Sequence, residues 1–321
     1  MSVRNNEERI GALLTKLLSL DYQDYEVVVI DDFSEDETLS VIGALARQYP
    51  KLKFSSLNQE IRFSEKIAIN LALKAAKSPW MVFIDPETEL LDPQYLRKLN
   101  DYLGDEQAIV LNYVGYLPQR KFYNTICRVE KVYAFMTSAA YSLTGLPLFF
   151  QQSNVLFNKQ IYFALDGFKG KMNAHYANLE LIFNRSAKKK VLVSVDQETR
   201  LQERAGVRRS DFADLIQKRI LTWLHLDGAK KTLLFVEELS KVLFVIGLAW
   251  VMVDNVQDWW VYSIPVLILI VLHWILIKTM LNLLNERKIL LSSLTYVFIK
   301  PVLNLYHGTL IYIKLQRNKW N

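Results

Sequence analysis

The chain has little of what several large functional classes require. It contains one cysteine, Cys127, which excludes an internal disulfide and any cysteine-based zinc site and fits a reducing compartment. Cys127 is expected to serve packing. With 11 glycines and 8 prolines in 321 residues, there is no Gly-rich phosphate loop of the P-loop or dinucleotide type. Nucleoside triphosphatase and dehydrogenase chemistries are therefore disfavoured. Aromatic residues are not scarce, at 12%, and hydrophobic residues reach 51%, so intrinsic disorder is excluded. The N-terminal stretch MSVRNNEERI lacks the apolar core of a signal peptide, so export by that route is not expected.

The mean hydropathy of +0.08 averages two compositions. Residues 1–230 alternate apolar and charged runs, and the character changes after Lys230-Lys231. No charge occurs from Val242 to Val253, and WWVYSIPVLILIVLHWILI fills 259–277. A membrane span needs about 20 mainly apolar residues, which predicts spans at 233–253 and 259–277. The first carries Glu237, Glu238 and Lys241 near one end. A buried helical hairpin is the duller alternative, but core helices are rarely apolar on every face. Segment 289–313 is apolar but interrupted by Lys300-Pro301 and ends in basic residues, which predicts a broken, interfacial or re-entrant segment. Lys230-Lys231 and Arg287-Lys288 flank the spans, and Asp254 and Asp258 lie between them. The positive-inside rule then places region 1–230 in the cytoplasm on a multi-pass inner-membrane protein. Trp250, Trp259 and Trp260 flank the acidic connection as an aromatic belt. The net charge of +6 comes from scattered basic residues, which suit anionic lipid headgroups better than nucleic acid.

Region 1–230 reads as alternating helices and short β-branched strands. Helices are expected at 6–20, 37–48 and 63–76, and strands at 26–30, 54–57 and 80–84. Such alternation implies β-α-β packing in an α/β domain with a mostly parallel sheet, whose ligands bind at the carboxyl ends of strands. Two acidic clusters fall there: Asp31-Asp32 after EVVVI, and Asp85-Pro86-Glu87-Thr88-Glu89 after WMVFI. Helix capping by Ser34, Asp36 or Asp92 accounts for single acids. Two multi-carboxylate clusters on one edge suit a divalent cation holding a diphosphate, with waters and phosphate oxygens filling its other positions.

These residues carry a resemblance. VRNNEERIGALLTKLLSLDYQDYEVVVIDDFSEDET resembles the opening of family-2 glycosyltransferases, which have a GT-A, Rossmann-type nucleotide-sugar-binding fold. Glu65-Lys66-Ile67-Ala68-Ile69-Asn70 is similar to that family's K-K-x-A-L-N helix start, and WMVFIDPETEL to the strand leading into its D-x-D. QQSNVLFNKQIYFALDGFKG resembles its acceptor-side segment, and NKWN a closing motif of membrane-attached members. The resemblance implies nucleoside contacts from Asp31, Asp32, Arg4 and Glu7 or Glu8, and diphosphate neutralisation by Lys66. It implies Mg²⁺ or Mn²⁺ at Asp85 and Glu87. It further implies sugar transfer with inversion from a nucleotide-diphosphate sugar to a lipid-linked or polysaccharide acceptor. Gln217, Arg219 and Trp223 are similar to a Q-x-x-R-W motif that grips acceptor or diphosphate, at altered spacing.

The chain departs from that pattern in three places. The general base is expected in E-D-x-[DE]-L, and here Ala177-Asn178-Leu179-Glu180-Leu181 stands. A neutral amide is a poor base, which leaves Glu180 in that role and Asn178 to orient the acceptor. Glu87 replaces an Asp. The apolar strand expected before V-x-R-N-E-E is almost wholly lacking, which points to a start codon placed too far downstream. The alternative reading is a degenerate relative that binds nucleotide or a partner without turnover. Among other polar residues, His273 in the second span is as easily satisfied by a helix neighbour as functional, His175 reads as an exposed loop residue, and Lys188-Lys189-Lys190 as a solvated helix end.

Overall fold

The computed structural model describes residues 1–60, 64–90, 92–104, 108–174, 178–185, 190–204, 206–254 and 259–317. Of the residues singled out above, His175, Ala177, Lys188, Lys189, Asp258 and the closing NKWN lie outside these.

The chain begins β1 (Ser2–Val3), α1 (Glu7–Leu18), β2 (Val27–Asp31), α2 (Thr38–Gln48), β3 (Leu52–Ser56), α3 (Ser64–Ala75) and β4 (Trp80–Val82). The predicted alternation is present, with boundaries within about two residues. Ile10, Leu13, Leu14, Leu17 and Leu18 form the buried stripe of α1 that their spacing requires. The order β1-β2-β3 is wholly parallel. The next elements are β5 (Thr88–Leu90), α4 (Tyr95–Asn100), β6 (Ile109–Asn112), β7 (Val114–Tyr116), α5 (Phe122–Leu143), β8 (Val155–Asn158), α6 (Lys159–Ala164), α7 (Leu179–Phe183), β9 (Val191–Ser194) and β10 (Leu201–Glu203). Here the pairing is mixed. In the order β4-β8-β6-β9, strand β8 is antiparallel to both neighbours, whereas β6 and β9 run parallel. In β5-β10-β7, β10 is antiparallel to β5 and parallel to β7. The fold is α/β, as expected.

Two residues of the strand expected before Arg4 are present: Ser2 and Val3 pair with Ile30 and Asp31 and are buried. Between β2 and β4 lies an apolar cavity of about 360 Å³, lined by Val28, Leu73, Met81 and Leu99 among others. One residue pins the strands behind it. Asn154 takes a left-handed conformation (φ 60°), which Asn tolerates better than most residues. Its Nδ2 donates to the Tyr113 and Thr199 carbonyls at 3.0 and 2.8 Å, and its Oδ1 accepts from the Tyr95 hydroxyl at 2.7 Å.

The chain continues through α8 (Arg209–Leu224), α9 (Gly228–Asp254), α10 (Trp259–Leu283) and α11 (Leu290–Arg317). Ile277, Leu281, Leu284, Ile289 and Tyr296 belong to the same core cluster as Leu111, Phe135 and Phe157 of the α/β region. Segments 1–230 and 231–321 thus share one core. Arg128 of α5 reaches the α10–α11 connection, where its Nε lies 2.9 Å from Glu286 Oε2 and its Nη2 donates to the Arg287 carbonyl. The Tyr113 hydroxyl donates to Glu286 Oε1 at 2.9 Å. The Glu286 side chain is 0% exposed, so its charge depends on these donors.

Two expectations for the tail need correction. Only Ser263–Leu283 among the described residues is long and apolar enough to cross a membrane, with a mean hydropathy of 2.3 and 11% buried. The predicted first span is helical within α9, but Glu237 and Glu238 pair with Lys241 there, and Lys300 of α11 faces Glu238. Glu237, Glu238 and Lys241 face protein partners, and these charges take that helix out of the strictly apolar class. Of the broken, interfacial or re-entrant forms expected for 289–313, the broken one is not observed: α11 runs unbroken through Lys300-Pro301. Packing of α11 against α5, α8, α9 and α10 offsets the hydrogen bond that Pro301 removes.

Removing one partner of the buried Arg128–Glu286 pair leaves an uncompensated charge in the core. Glu286→Leu is expected to lower unfolding free energy by about 3–5 kcal/mol in denaturant titrations, and Arg128→Met with Glu286→Leu together by clearly less.

Candidate active site

Two loops form one rim at the carboxyl ends of β1 and β2, and their backbones are locked together. Asn5 N–H donates to Ser34 Oγ, Glu35 N–H to Asn5 Oδ1, and Asn6 N–H to Thr38 Oγ1 at 2.7 Å. Glu7 and Asp36 exchange roles across the gap: Glu7 N–H donates to Asp36 Oδ2, and Glu37 N–H to Glu7 Oε2 at 2.7 Å. Asp36 also accepts from Thr38 N–H, but it stands one residue ahead of the α2 N-cap, Glu37, so the expected N-cap role is not its own. Asp31 turns the chain by accepting the backbone and hydroxyl of Ser34. Asn5 and Phe33 sit at φ 47° and 55°, an uncommon region for an aromatic residue. Such strain persists only where surrounding contacts enforce it, as the interlocked loops do here. Asp31 and Asp32 lie buried at this rim, and Arg4 pairs with Glu60 at 2.7 Å on its exposed side.

The second cluster is more buried and more charged. Asp85 follows β4, and Glu203 is the last residue of β10. Burial, and then the Glu203 charge, push the Asp85 carboxyl up to about 7. Lys131 of α5 partly offsets this by pairing with Glu203 at 3.1 Å, its ammonium 4.7 Å from the Tyr116 ring centroid. Glu180, in the first turn of α7, is 0% exposed. Its Oε2 accepts the Asn178 N–H at 3.1 Å, and its Oε1 faces Lys218 Nζ at 3.3 Å. Burial works against the Lys218 charge, but Glu180, Glu65 and Asp85 outweigh it and raise the ammonium above its ordinary value. Lys66 stands in the same field, lowered by burial and supported by Glu65 and Glu180, and donates to the Ala174 carbonyl at 2.6 Å. Gln152 completes this flank by donating to Glu65 at 3.0 Å.

Lys218 is thus the cation around which Asp85, Glu180 and Glu65 gather. Among the sequence candidates, Asp85, Glu180, Asn178 and Lys66 converge here, and Asp31, Asp32, Arg4 and Glu7 lie at the neighbouring strand ends. Gln217 is half-buried on α8. Arg219 and Trp223 do not join the cluster. Arg219 contacts Glu130 and Asn304, both at 2.5 Å, and Trp223 lines a separate groove. Three residues were missed: Lys131, Glu203 and Lys218. Glu203 has a similar signal, an acid at the carboxyl end of a strand, but its strand is only three residues long.

A divalent cation would find a partial donor set. Asp85 fits, being a half-buried carboxylate crowded by the Glu203 charge. Glu87 is diverted: its Oε2 pairs with Arg9 at 2.6 Å and its Oε1 accepts from Asn6 Nδ2. Its backbone N–H, not its carboxylate, meets Asp85, at 2.9 Å. Among the described residues, no group of three His, Cys, Asp or Glu side chains could hold a metal ion.

The model of Glycosyl transferase family 2 matches residues 1–165, just over half of the chain. The chain belongs to this family. It is similar to beta-monoglucosyldiacylglycerol synthase of Trichormus variabilis (28% identity over 98 residues, 30% of this chain and 21% of the relative). It is also similar to poly-beta-1,6-N-acetyl-D-glucosamine synthase of Staphylococcus epidermidis (24% over 98 residues, 30% and 23%). The chain therefore matches less than a quarter of the length of either. Among solved structures, the mannosyltransferase PcManGT from Pyrobaculum calidifontis, in complex with GDP-Man and Mn²⁺, superposes with a TM-score of 0.54. That match has 18% identity and covers 95% of this chain and 85% of that one. The shared fold is GT-A.

Because the folded value of Asp85, about 7, lies above its ordinary 3.8, the folded state holds this proton more tightly than the unfolded chain. Its contribution to stability is greatest at low pH and declines as pH rises from about 4 towards 7. In chelator, Asp85→Asn is expected to flatten that decline and to stabilise the protein at pH 8 by about 1–2 kcal/mol in denaturant titrations. An undiminished slope in the variant would assign the pH dependence elsewhere.

Proposed function

We propose that the chain is a membrane-anchored inverting glycosyltransferase that moves a sugar from a nucleotide-diphosphate sugar to a lipid-linked or polysaccharide acceptor at the cytoplasmic face. One observation carries this reading: Glu180, the acid left in the altered base motif, lies with Asp85, Lys66 and Lys218 at the carboxyl edge of the sheet. Family membership and the GT-A fold supply the context.

The rim of Asp31, Asp32, Arg4 and Glu7 would receive the nucleoside, and Lys66 and Lys218 would face the diphosphate. Mg²⁺ or Mn²⁺, when bound, supplies charge neutralisation of the departing diphosphate, with Asp85 as its protein ligand. Glu87 contributes instead to the rim through Arg9 and Asn6. In the transfer, the acceptor oxygen forms a bond to the anomeric carbon as the carbon–oxygen bond to the diphosphate breaks. The acceptor proton passes to Glu180, and the nucleoside diphosphate leaves with the bonding pair. Lys218 places its ammonium 3.3 Å from Glu180 Oε1, beside the proposed base. Asn178, capping α7 with its own N–H on Glu180, orients it.

Membrane attachment rests on α10 and on the apolar side chains that α9 and α11 expose, among them Leu243, Ile246, Phe298, Val302 and Leu305. An apolar surface of this extent does not stay in water. Relatives named as glycolipid and polysaccharide synthases agree with an acceptor near a membrane.

The replaced acid at Asn178 also favours a second reading, a transferase-like protein that binds nucleotide sugar without turnover. Nucleotide release from a panel of nucleotide sugars decides between them. The transferase is expected to release nucleoside diphosphate, more slowly in chelator. Glu180→Gln should reduce the rate by about 10²–10⁴-fold with donor affinity retained. Donor binding with no release would favour the second reading, and unchanged release in Glu180→Gln would remove Glu180 from the role of base.

A further inference from the structure

A groove of about 380 Å³ opens where the first turns of α5 and α8 meet the middle of α11. Its walls are apolar or aromatic, with Phe122, Ile126, Phe212 and Leu303 among them, and Arg209 and His307 supply its basic groups. We propose that this groove binds one anionic membrane phospholipid, with the phosphate at Arg209 and His307 and an acyl chain along Ile126, Ile299 and Leu303. The proposal rests on the membrane attachment inferred above and adds a lipid site outside the acid cluster.

The basic groups lack an anion. His307 is 8% exposed, and its buried Nδ1 meets no hydrogen-bond partner. Burial, then the Arg209 and Arg219 charges, hold the imidazole below its ordinary value, so the ring is neutral at pH 7. A neutral imidazole has one N–H to give, and a ring with a buried unpaired nitrogen calls for a partner. Arg209 has no acid to pair with among the described residues. Phe212 and Ala213 hold the positions three and four residues on, and α11 carries no Asp or Glu from Leu290 to Arg317. Neighbouring carboxylates are already committed. Glu130 lies between Arg219 and the Tyr296 hydroxyl, and Asp211 accepts the Val207 and Arg208 N–H groups and pairs with Arg208. Asp214 is exposed and does not line the groove. Arg120 and Lys121, just before Phe122, are exposed and likewise pair with no acid among the described residues. The surplus is positive. An uncharged lipid would leave it unanswered, and a zwitterionic head would add a cation to it.

The groove also has a direction. α5 and α11 run antiparallel along it: the Tyr133 hydroxyl donates to the Ser293 carbonyl, and the Tyr296 hydroxyl to Glu130. His307 therefore stands towards the start of α5, the end that carries Arg120 and Lys121. Lys121, the N-cap of α5, gives that helix no side-chain hydrogen bond, so the partial positive charge of the helix end adds to the same region. From His307 back to Tyr296 the lining is apolar or aromatic over about 16 Å of helix, close to the ~15 Å hydrocarbon depth of one leaflet. Ile299 and Tyr306 are half exposed, beside Phe298 and Val302 of the face assigned to the membrane, so a bilayer lipid reaches the groove from the side. Free phosphate would leave that wall uncovered.

Native mass spectrometry of the full chain in detergent tests this with dioleoylphosphatidylglycerol and dioleoylphosphatidylcholine, which share their acyl chains and differ in net charge. The expected result is one phosphatidylglycerol per chain, retained about tenfold better than phosphatidylcholine. Arg209→Glu, at an exposed position, should abolish that preference with an unchanged melting temperature. Lys74→Glu makes the same charge change at an exposed position on α3, away from the groove, and should keep the preference. His307→Phe, which keeps an aromatic ring and removes the N–H, should lower phosphatidylglycerol retention severalfold. Equal retention of the two lipids, equal loss in Arg209→Glu and Lys74→Glu, or full retention in His307→Phe overturns the proposal. Inorganic phosphate retained as well as phosphatidylglycerol would overturn the assignment to a lipid. Co-flotation with phosphatidylcholine vesicles separates the two failures. Flotation without a phosphatidylglycerol preference removes only this site, and a preference without flotation removes only the membrane attachment.

Discussion

Burying carboxylates at a sheet edge is the constraint on which the remainder of this molecule depends. Asp85, Glu203 and Glu180 occupy positions where an unpaired charge is strongly disfavoured, and none of their strands or helices carries a compensating cation. Those cations come from elsewhere: Lys131 from α5 and Lys218 from α8. These helices are in turn fixed by the tail, through Arg128 on Glu286, Tyr133 on the Ser293 carbonyl, and Glu130 between Arg219 and Tyr296. The acidic sheet edge and the C-terminal helices are parts of one electrostatic arrangement, which explains why they share a core.

The six elements from α1 to β4 were readable because their signals are local. Five apolar residues at helical spacing make α1, and a β-branched run bounded by acids makes β2. The short strands β5, β7 and β10 carry no such signal. Each has three residues, and their pairing joins positions 87 to 115 residues apart. Glu203 was invisible as a strand-end acid for that reason. In α8 the difficulty was helical phase. Its buried residues are Phe212, Ile216 and Thr222, too few to tell which of two adjacent cations faces inward. Successive helix residues point about 100° apart, so the choice between Lys218 and Arg219 decides which one meets Glu180. The tail was legible as apolar helix, but the role of its charges was not. Lys300 beside Pro301 looked like an interruption, and it is a side chain turned inward onto Glu238.

The altered motif acquires a physical reading from this geometry. Asn178 contributes its backbone N–H to Glu180, so the change from acid to amide leaves a single carboxylate at that turn. A second carboxylate beside Glu180 would compete for Lys218. The Glu87 substitution follows the same logic, since the longer acid reaches Arg9 and Asn6 and stabilises the rim where the first two loops meet.

The central claim, that the acidic sheet edge receives a nucleotide-diphosphate sugar, is tested most directly by calorimetric titration of UDP- and GDP-sugars into the full chain, with Mn²⁺ and with chelator. The account predicts one site per chain, affinity strengthened by the metal, and loss of that metal dependence in Asp85→Asn without loss of fold. Absence of binding for every donor, or a metal effect that persists undiminished in Asp85→Asn, would contradict it.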